Sequence, residues 1–328
     1  MTSRRRGKEP MAAAVVGVGS MGRQHARVYS ELPGIDLVGV HDADAESAED
    51  VADAYETESL SMAEVLDAAT VVSVAVPTEH HYDVVKTCLE NDVNVLVEKP
   101  FVTDREQGEE LATLARQRGL VLQVGHIERF NPATRVLKDV VPDLDLVAFD
   151  VQRLGPPIDR DIEDSVVLDL MVHDLDILLA LVDSPVEEVT AAANGRQYAL
   201  ANLVFEDGTV ASLTASRRTR QKIRQLSVTA ESCRVNVDFI DQAVDIHRES
   251  FPEYVESNGD IRYRHESVVE QPMVENGEPL KAELESFVTA VREGTPAEVT
   301  PEDALRVQEL AERIEAIALE ERREVRAR

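Results

Sequence analysis

Along the first third of the chain, apolar runs and helical patterns take turns. An apolar run at 12–16 is followed by a helix pattern from Gly22, a second run at 35–40, a helix pattern through 45–55, and a third run at 70–76. Strand, helix, strand, helix predicts parallel pairing, since neighbouring strands that point the same way need a crossover between them. The runs VVSVAV and VNVLV are apolar throughout rather than alternating, as expected of strands covered on both faces. A further helix is predicted at Thr103-Asp104-Arg105-Glu106, a Ser/Thr-x-x-Glu capping box, and a strand at 120–124.

Beyond about Gly125 the texture changes. One strongly apolar helix near 165–182 precedes several alternating segments, among them AANLVFEDGTVASLTAS with an Asp207-Gly208 hairpin signal. These predict a mostly antiparallel sheet. The tail returns to helix, with Thr300 as N-cap, Pro301 at the first helical position, and Val307, Leu310, Ile314 and Ile317 on one face. The expected class is α/β, with a parallel-sheet domain at 11–125 and an α+β domain at 126–328 whose C-terminal helix can pack back on the first domain. Residues 1–10, polar and basic without periodicity, are set aside as a disordered tail.

The motif Gly17-Val18-Gly19-Ser20-Met21-Gly22 follows the first predicted strand and opens the first predicted helix. In that context Gly17 permits a tight turn, Gly19 lets the backbone approach a pyrophosphate, and Gly22 lets helix and strand pack closely. The helix N-terminus then faces the phosphates. The second strand ends in His41-Asp42, a carboxylate 25 residues past Gly17, near the ribose position of a dinucleotide-binding Rossmann domain. Asp42 can accept hydrogen bonds from a ribose diol but would repel a 2′-phosphate, and Ala43 offers no cation to neutralise one. NAD is therefore expected over NADP. Asp42 also precedes a helix pattern and can serve as its N-cap.

Composition narrows the partners. The net charge of −29 opposes binding to nucleic acid or anionic lipid. Of the 34 Lys and Arg, six are lysine, at 8, 86, 99, 138, 222 and 281, which leaves 28 arginines. Such an acidic, lysine-poor surface fits a high-salt cytoplasm, where repulsion is screened over a few ångströms; an acidic protein of ordinary salinity is the alternative. No apolar run approaches the roughly 20 residues that cross a bilayer, and the start lacks a signal-peptide pattern, so a cytoplasmic protein is expected. Cys88 and Cys233 are too few for a disulfide framework.

Two places carry chemistry. After VNVLV comes Glu98-Lys99-Pro100, a charged pair at the carboxyl end of a parallel strand, the edge where such sheets bind ligands. A surface salt bridge between Glu98 and Lys99 is the bland reading. In VLDLMVHDLD, Asp169 and His173 are four apart and share a helix face among apolar neighbours. A carboxylate beside an imidazole orients the ring for general-base work, although a buried structural pair fits equally well. Otherwise no His, Cys or carboxylate grouping has ligand spacing, and no metal is expected.

At these residues the chain resembles a known family. GVGSMGRQHARVY, VAVPTEHHYDVV, VNVLVEKP, LDLMVHDLD and EPLKAELESFV are similar to successive motifs of the Gfo/Idh/MocA oxidoreductases, in the right order from Ala13 to about Val288. The resemblance implies a Rossmann domain followed by a domain with an open antiparallel sheet, in dimers or tetramers packed through that sheet. It implies that Lys99 and His173 flank the nicotinamide together with Asp169, and that Pro77, Thr78 and His81 belong to the segment on the nicotinamide side. There His81 reads as a structural hydrogen-bond partner rather than a base, and Glu98 stands with the cofactor residues.

GHIERFNPA, IEDSVVLDLMVHDLDI and ASRRTRQKIRQLSV are most similar to UDP-N-acetylglucosamine 3-dehydrogenases and close nucleotide-sugar relatives. Ser165 and Val166 depart from the glycines the family often carries ahead of the Asp. His126 and Glu128 are expected to line a sugar pocket, with Arg129 and Asn131, although an interdomain structural role suits His126 as well. Arg217, Arg218, Arg220, Lys222 and Arg224 form a cation cluster suited to a pyrophosphate, or simply an exposed strand face of alternating charge. The implied activity is NAD-dependent oxidation of a sugar hydroxyl. A free polyol or sugar is the alternative substrate, and a non-catalytic NAD-binding sensor is the alternative of another class.

Overall fold

The computed structural model describes residues 10–157, 164–249, 253–257, 260–264 and 267–327; of the tail expected at 1–10, all but Pro10 lies outside them. The chain divides into two units, 1–127 with 278–306 and 128–277 with 307–328.

The first unit alternates β1 (Met11–Val16), α1 (Ser20–Glu31), β2 (Ile35–His41), α2 (Ala45–Ala54), α3 (Met62–Ala68), β3 (Val71–Val74), α4 (His81–Glu90), β4 (Asn94–Glu98), α5 (Arg105–Arg118) and β5 (Leu122–Gly125). The five strands form one parallel sheet in the order β2-β1-β3-β4-β5. Consecutive residues of β3 and of the centre of β4 are all buried, so both sheet faces are covered. The strand order reverses between β1 and β3, the place where open parallel sheets hold ligands.

The start of α5 departs from the expected capping box. Asp104 is the N-cap, its Oδ1 accepting from Glu106 N at 2.8 Å, because a short carboxylate reaches the second amide of the turn without help from Thr103. A true capping box stands instead at Ser61 and Glu64, ahead of α3.

The second unit holds α6 (Pro132–Val140), β6 (Leu146–Leu154), α7 (Val172–Leu181), β7 (Val186–Ala193), β8 (Tyr198–Phe205), β9 (Val210–Ser216), β10 (Ile223–Ala230), β11 (Cys233–Asp238), β12 (Ala243–Glu249), β13 (Glu253–Ser257), β14 (Asp260–Arg264) and β15 (Ser267–Glu270). Strands β13 and β14 pair as a separate hairpin. The others form an eight-stranded sheet, β15-β12-β11-β10-β6-β9-β8-β7, antiparallel at every step but β6–β9. Asp207 and Gly208 make the β8–β9 turn, with Gly208 at φ +88° and Asp207 Oδ1 accepting from Thr209 N at 2.9 Å. One sheet face is core: Ala199, Ala201, Leu203 and Phe205 of β8 pack with Leu137, Leu175 and Leu178 from the helices. On the other face Leu200 and Asn202 are exposed, the alternation of a sheet covered on one side.

The chain then returns to the first unit. Helix α8 (Pro279–Glu293) sets Leu280, Leu284, Phe287 and Val288 against Val28, Tyr29 and Leu32 in one core, a helical stripe of three- and four-residue steps. Helix α9 (Pro301–Ala327) begins with a reciprocal cap: Thr300 Oγ1 accepts from Asp303 N and Asp303 Oδ2 from Thr300 N, each at 3.1 Å. Beyond Val307 it belongs to the second unit, where Val307, Leu310 and Ile314 are buried.

Phe287 is fully buried, so Phe287→Ala is expected to destabilise the first unit by about 3–5 kcal/mol, although nearly the whole unit precedes it in sequence. Denaturant unfolding measures this, and a loss below about 1 kcal/mol would show that α8 is not part of that core.

Candidate functional site

The carboxyl ends of β1 to β4 bring the predicted cofactor residues of the first unit to one sheet edge. The chain leaves β1 through Gly17 at φ +88°, whose missing Cβ would stand 2.6 Å from the backbone of Ala75 and Val76. At Gly22 a Cβ would sit 1.8 Å from the Gly17 carbonyl oxygen, so helix and turn touch backbone to backbone. Gly19 differs: a Cβ there would meet nothing within 4 Å. The protein does not need that glycine for its own packing, and the open space is where a pyrophosphate would come close. Gly19, Ser20 and Met21 are exposed, and among the described residues no side chain caps the amides of α1. These features fit a dinucleotide.

Asp42 holds the loop from the β2 end. Its Oδ2 accepts from Val18 N at 2.7 Å and its Oδ1 from Asp44 N at 2.9 Å. It is not the N-cap of α2, a role Asp44 takes with Glu46 N and Ser47 Oγ. Pro77 is exposed and Thr78 half-buried at the β3 exit. His81 is enclosed, with Nε2 at 2.9 Å from the Val76 carbonyl and Nδ1 at 2.9 Å from that of Pro100, which ties the β3 exit to the turn after Lys99.

Lys99 is half-buried directly after β4. The carboxylate of Glu98 does not serve as a simple surface partner. Its Oε1 is 2.9 Å from Nε2 of the fully buried His25, and its Oε2 accepts from the backbone N of Lys99 at 3.3 Å. His25 was not among the predicted site residues. The signal for it was a polar residue on the buried stripe of α1, beside Ala26, Val28 and Tyr29.

In the second unit Asp169 and His173 do not share one regular α-helix. Val167–Met171 forms a π-helical turn and α7 starts at Val172, so the pair straddles the junction. Such one-turn insertions are frequent at functional sites, and sequence periodicity does not reveal them. Ser165, which stands where the family often has glycine, accepts at Oγ from Val167 N at 3.3 Å and Leu168 N at 3.4 Å. Asp169 is ion-paired with Arg217, whose side chain is buried and also donates to the Asp164 carbonyl at 3.0 Å. Arg217 is thus committed inside the unit, whereas Arg218, Arg220 and Lys222 are exposed.

Next to His173 the charges are closed off. Asp174 takes a two-pronged contact from Arg153, at 2.8 to 3.0 Å, and Arg153 also reaches Glu128 at 2.9 Å. Arg224 meets the same Glu128 oxygen at 2.9 Å. Burial works against the charge on Glu128, yet Arg153 and Arg224 outweigh it and hold the carboxyl below its usual range. Its contribution to stability is therefore present above the ordinary glutamate value of about 4.3 and is lost as pH falls through the lower folded value. Asp176 pairs with Arg129, and Asn131 caps α6 through Ala133 N while donating to the Phe239 carbonyl at 3.1 Å. Arg129, Asn131 and, in the first unit, His126 are all buried, which gives the segment predicted to line a sugar pocket an architectural employment. Arg153→Met should cost about 3–5 kcal/mol, because two buried carboxylates lose their shared cation; urea unfolding checks this, and a variant as stable as the parent would mean that the network is not closed.

Comparison with known proteins follows the same two halves. A model described as the oxidoreductase family with an NAD-binding Rossmann fold matches residues 11–126, and the GFO/IDH/MocA C-terminal domain matches 149–235. UDP-N-acetylglucosamine 3-dehydrogenase of Acidithiobacillus ferrooxidans is 34% identical over 72% of this chain and 77% of its own length. A crystal structure of that enzyme superposes with a TM-score of 0.83 at 30% identity, covering 94% of this chain and 98% of the other. Inositol 2-dehydrogenase of Rubrobacter xylanophilus is 31% identical over 55% of each chain. By sequence and by structure, the chain belongs to the Gfo/Idh/MocA family of NAD-binding oxidoreductases.

Proposed function

We propose that the chain is an NAD-dependent dehydrogenase that oxidises a secondary hydroxyl of a nucleotide sugar, such as the 3-position of UDP-N-acetylglucosamine. One observation carries the chemistry. Within 169–176, the carboxylates of Asp174 and Asp176 are buried in ion pairs, whereas Asp169 and His173 remain half-buried at the surface of the unit. The dehydrogenase similar over 77% of its length supports the substrate class.

In this reading Asp42 receives the ribose hydroxyls and the open amides before α1 receive the pyrophosphate. NAD supplies the carbon that accepts hydride. His173 takes the proton from the sugar hydroxyl, the Lys99 ammonium stabilises the developing alkoxide, and Asp169 orients His173 or holds the neighbouring hydroxyl. The reading requires Lys99 to meet Asp169 and His173 at the nicotinamide. Arg218, Arg220 and Lys222 are the exposed cations suited to a substrate pyrophosphate. The half-exposed outer face of the large sheet, with Leu200 and Val210, suits packing against a second copy in a homodimer or homotetramer.

Lys99→Met and His173→Ala should each lower kcat by about 10²–10⁴-fold while NAD affinity survives. NADH production and NAD titration read the two effects, and retained turnover removes that residue from the mechanism. Among free N-acetylglucosamine, myo-inositol and UDP-N-acetylglucosamine, the nucleotide sugar should give a kcat/KM higher by about 100-fold or more, the scale of one or two charge-assisted contacts. Equal efficiency would favour the free-sugar reading that the inositol dehydrogenase relative represents, and no turnover across the panel would favour an NAD-binding sensor.

A further inference from the structure

We propose that His25 and Glu98 are positioning residues for Lys99: they fix the backbone from which its ammonium is presented and couple that backbone to the dinucleotide loop. The proposal rests on the assignment of Lys99 to the reaction.

The hydrogen-bond inventory comes first. Glu98 has one oxygen 2.9 Å from His25 Nε2 and the other 3.3 Å from the backbone N of Lys99. The backbone N of Lys99 donates to one oxygen and, with Glu98 a carboxylate, Nε2 of His25 donates to the other; a glutamine would replace one of these acceptors by an amide N–H₂ and keep the arrangement only if the ring changed tautomer. The neighbouring strand makes room for this. Gly125 lies opposite Glu98 in the β4–β5 register, and a Cβ there would stand 3.2 Å from the carboxylate carbon and both oxygens. The carboxylate lies over a bare Cα, and a Cβ at 125 would require it to give way by a few tenths of an ångström.

His25 supplies the independent observation. Its ring is fully buried, and Nδ1 has no hydrogen-bond partner among the described residues. Facing a carboxylate, which only accepts, Nε2 donates to Glu98, and a buried Nδ1 without a partner among the described residues is the cost. For packing alone an apolar side chain would serve this position better. The ring makes physical sense as a clamp on the carboxylate.

Because His25 stands three residues after Gly22 in α1, the clamp joins the helix that starts at the glycine loop to the strand end that bears Lys99. His81 braces the same turn from beyond it, bridging the carbonyls of Val76 and Pro100. Lys99 is thus held in register with the surface that receives the cofactor.

Test variants are His25→Leu, Glu98→Ala and Glu98→Gln, with Tyr29→Phe as control. Tyr29 is equally buried on the same helix, but its hydroxyl meets Ser73 at 2.9 Å, away from Glu98. With NAD and UDP-N-acetylglucosamine, His25→Leu and Glu98→Ala should lower kcat by about 10–100-fold, the scale of a small misplacement, at KM and NAD affinity within about threefold. Glu98→Gln should fall between them and the parent, and Tyr29→Phe should keep its kcat. A second readout needs neither cofactor nor substrate. In the cofactor-free protein, mass spectrometry of amine labelling should show the Lys99 rate alone changing, by about threefold or more, on the scale of less than 1 kcal/mol. Parent-like kcat in both His25→Leu and Glu98→Ala, or an unchanged Lys99 labelling rate, overturns the proposal. If Lys99→Met itself keeps full turnover, the assignment of Lys99 falls instead, and the labelling pattern still decides whether Glu98 and His25 hold it.

Discussion

The carboxyl edge of the parallel sheet depends on a place where backbone passes backbone with nothing between. Gly17 runs against Ala75 and Val76, and Gly22 against the Gly17 carbonyl, at separations that exclude even a methyl group. That double approach sets where α1 starts and how it lies on the sheet. The direction of α1 decides where His25 falls, and His25 meets the carboxylate of Glu98. A steric exclusion at two glycines thereby propagates, through one rigid helix, to the strand end bearing Lys99.

In the second unit, electrostatics sort an unusually charged helix. Three aspartates and a histidine lie within eight residues at 169–176, and left unpartnered in an apolar setting they would be prohibitive. Arg153 and Arg129 take the two inward carboxylates from the sheet side and the 127–131 turn, leaving Asp169 and His173 on the outer flank. Burial classifies these groups better than residue type does: Asp174 and Asp176 are enclosed with Arg153 and Arg129, whereas Asp169, paired with Arg217, stays half-buried.

Much of this was legible in the sequence, for identifiable reasons. Unbroken apolar runs announce strands covered on both faces, strict alternation announces a half-exposed sheet, and the glycine motif carries its own steric logic. What was not legible depended on long-range partners. The stripe of Leu280, Leu284, Phe287 and Val288 marks an amphipathic helix but does not say which core it enters. Nothing in the run of five cations at 217–224 marks Arg217 as buried against Asp169 or Arg224 as the partner of Glu128, with Arg218, Arg220 and Lys222 left exposed. The π turn at 167–171 inserts no residue type that a pattern could notice. Asp104 displaced Thr103 as cap because two adjacent residues both had the chemistry, and backbone geometry chose.

The return of 278–306 to the first unit bears on how the protein is made. A ribosome releases the parallel sheet early, yet the hydrophobic surface of α1 waits for Leu280, Leu284 and Phe287 until almost the whole polypeptide has emerged. The half of the molecule synthesised first is thus completed only after residues 128–277 of the other half have been made, and until then its unfinished flank is an exposed apolar surface.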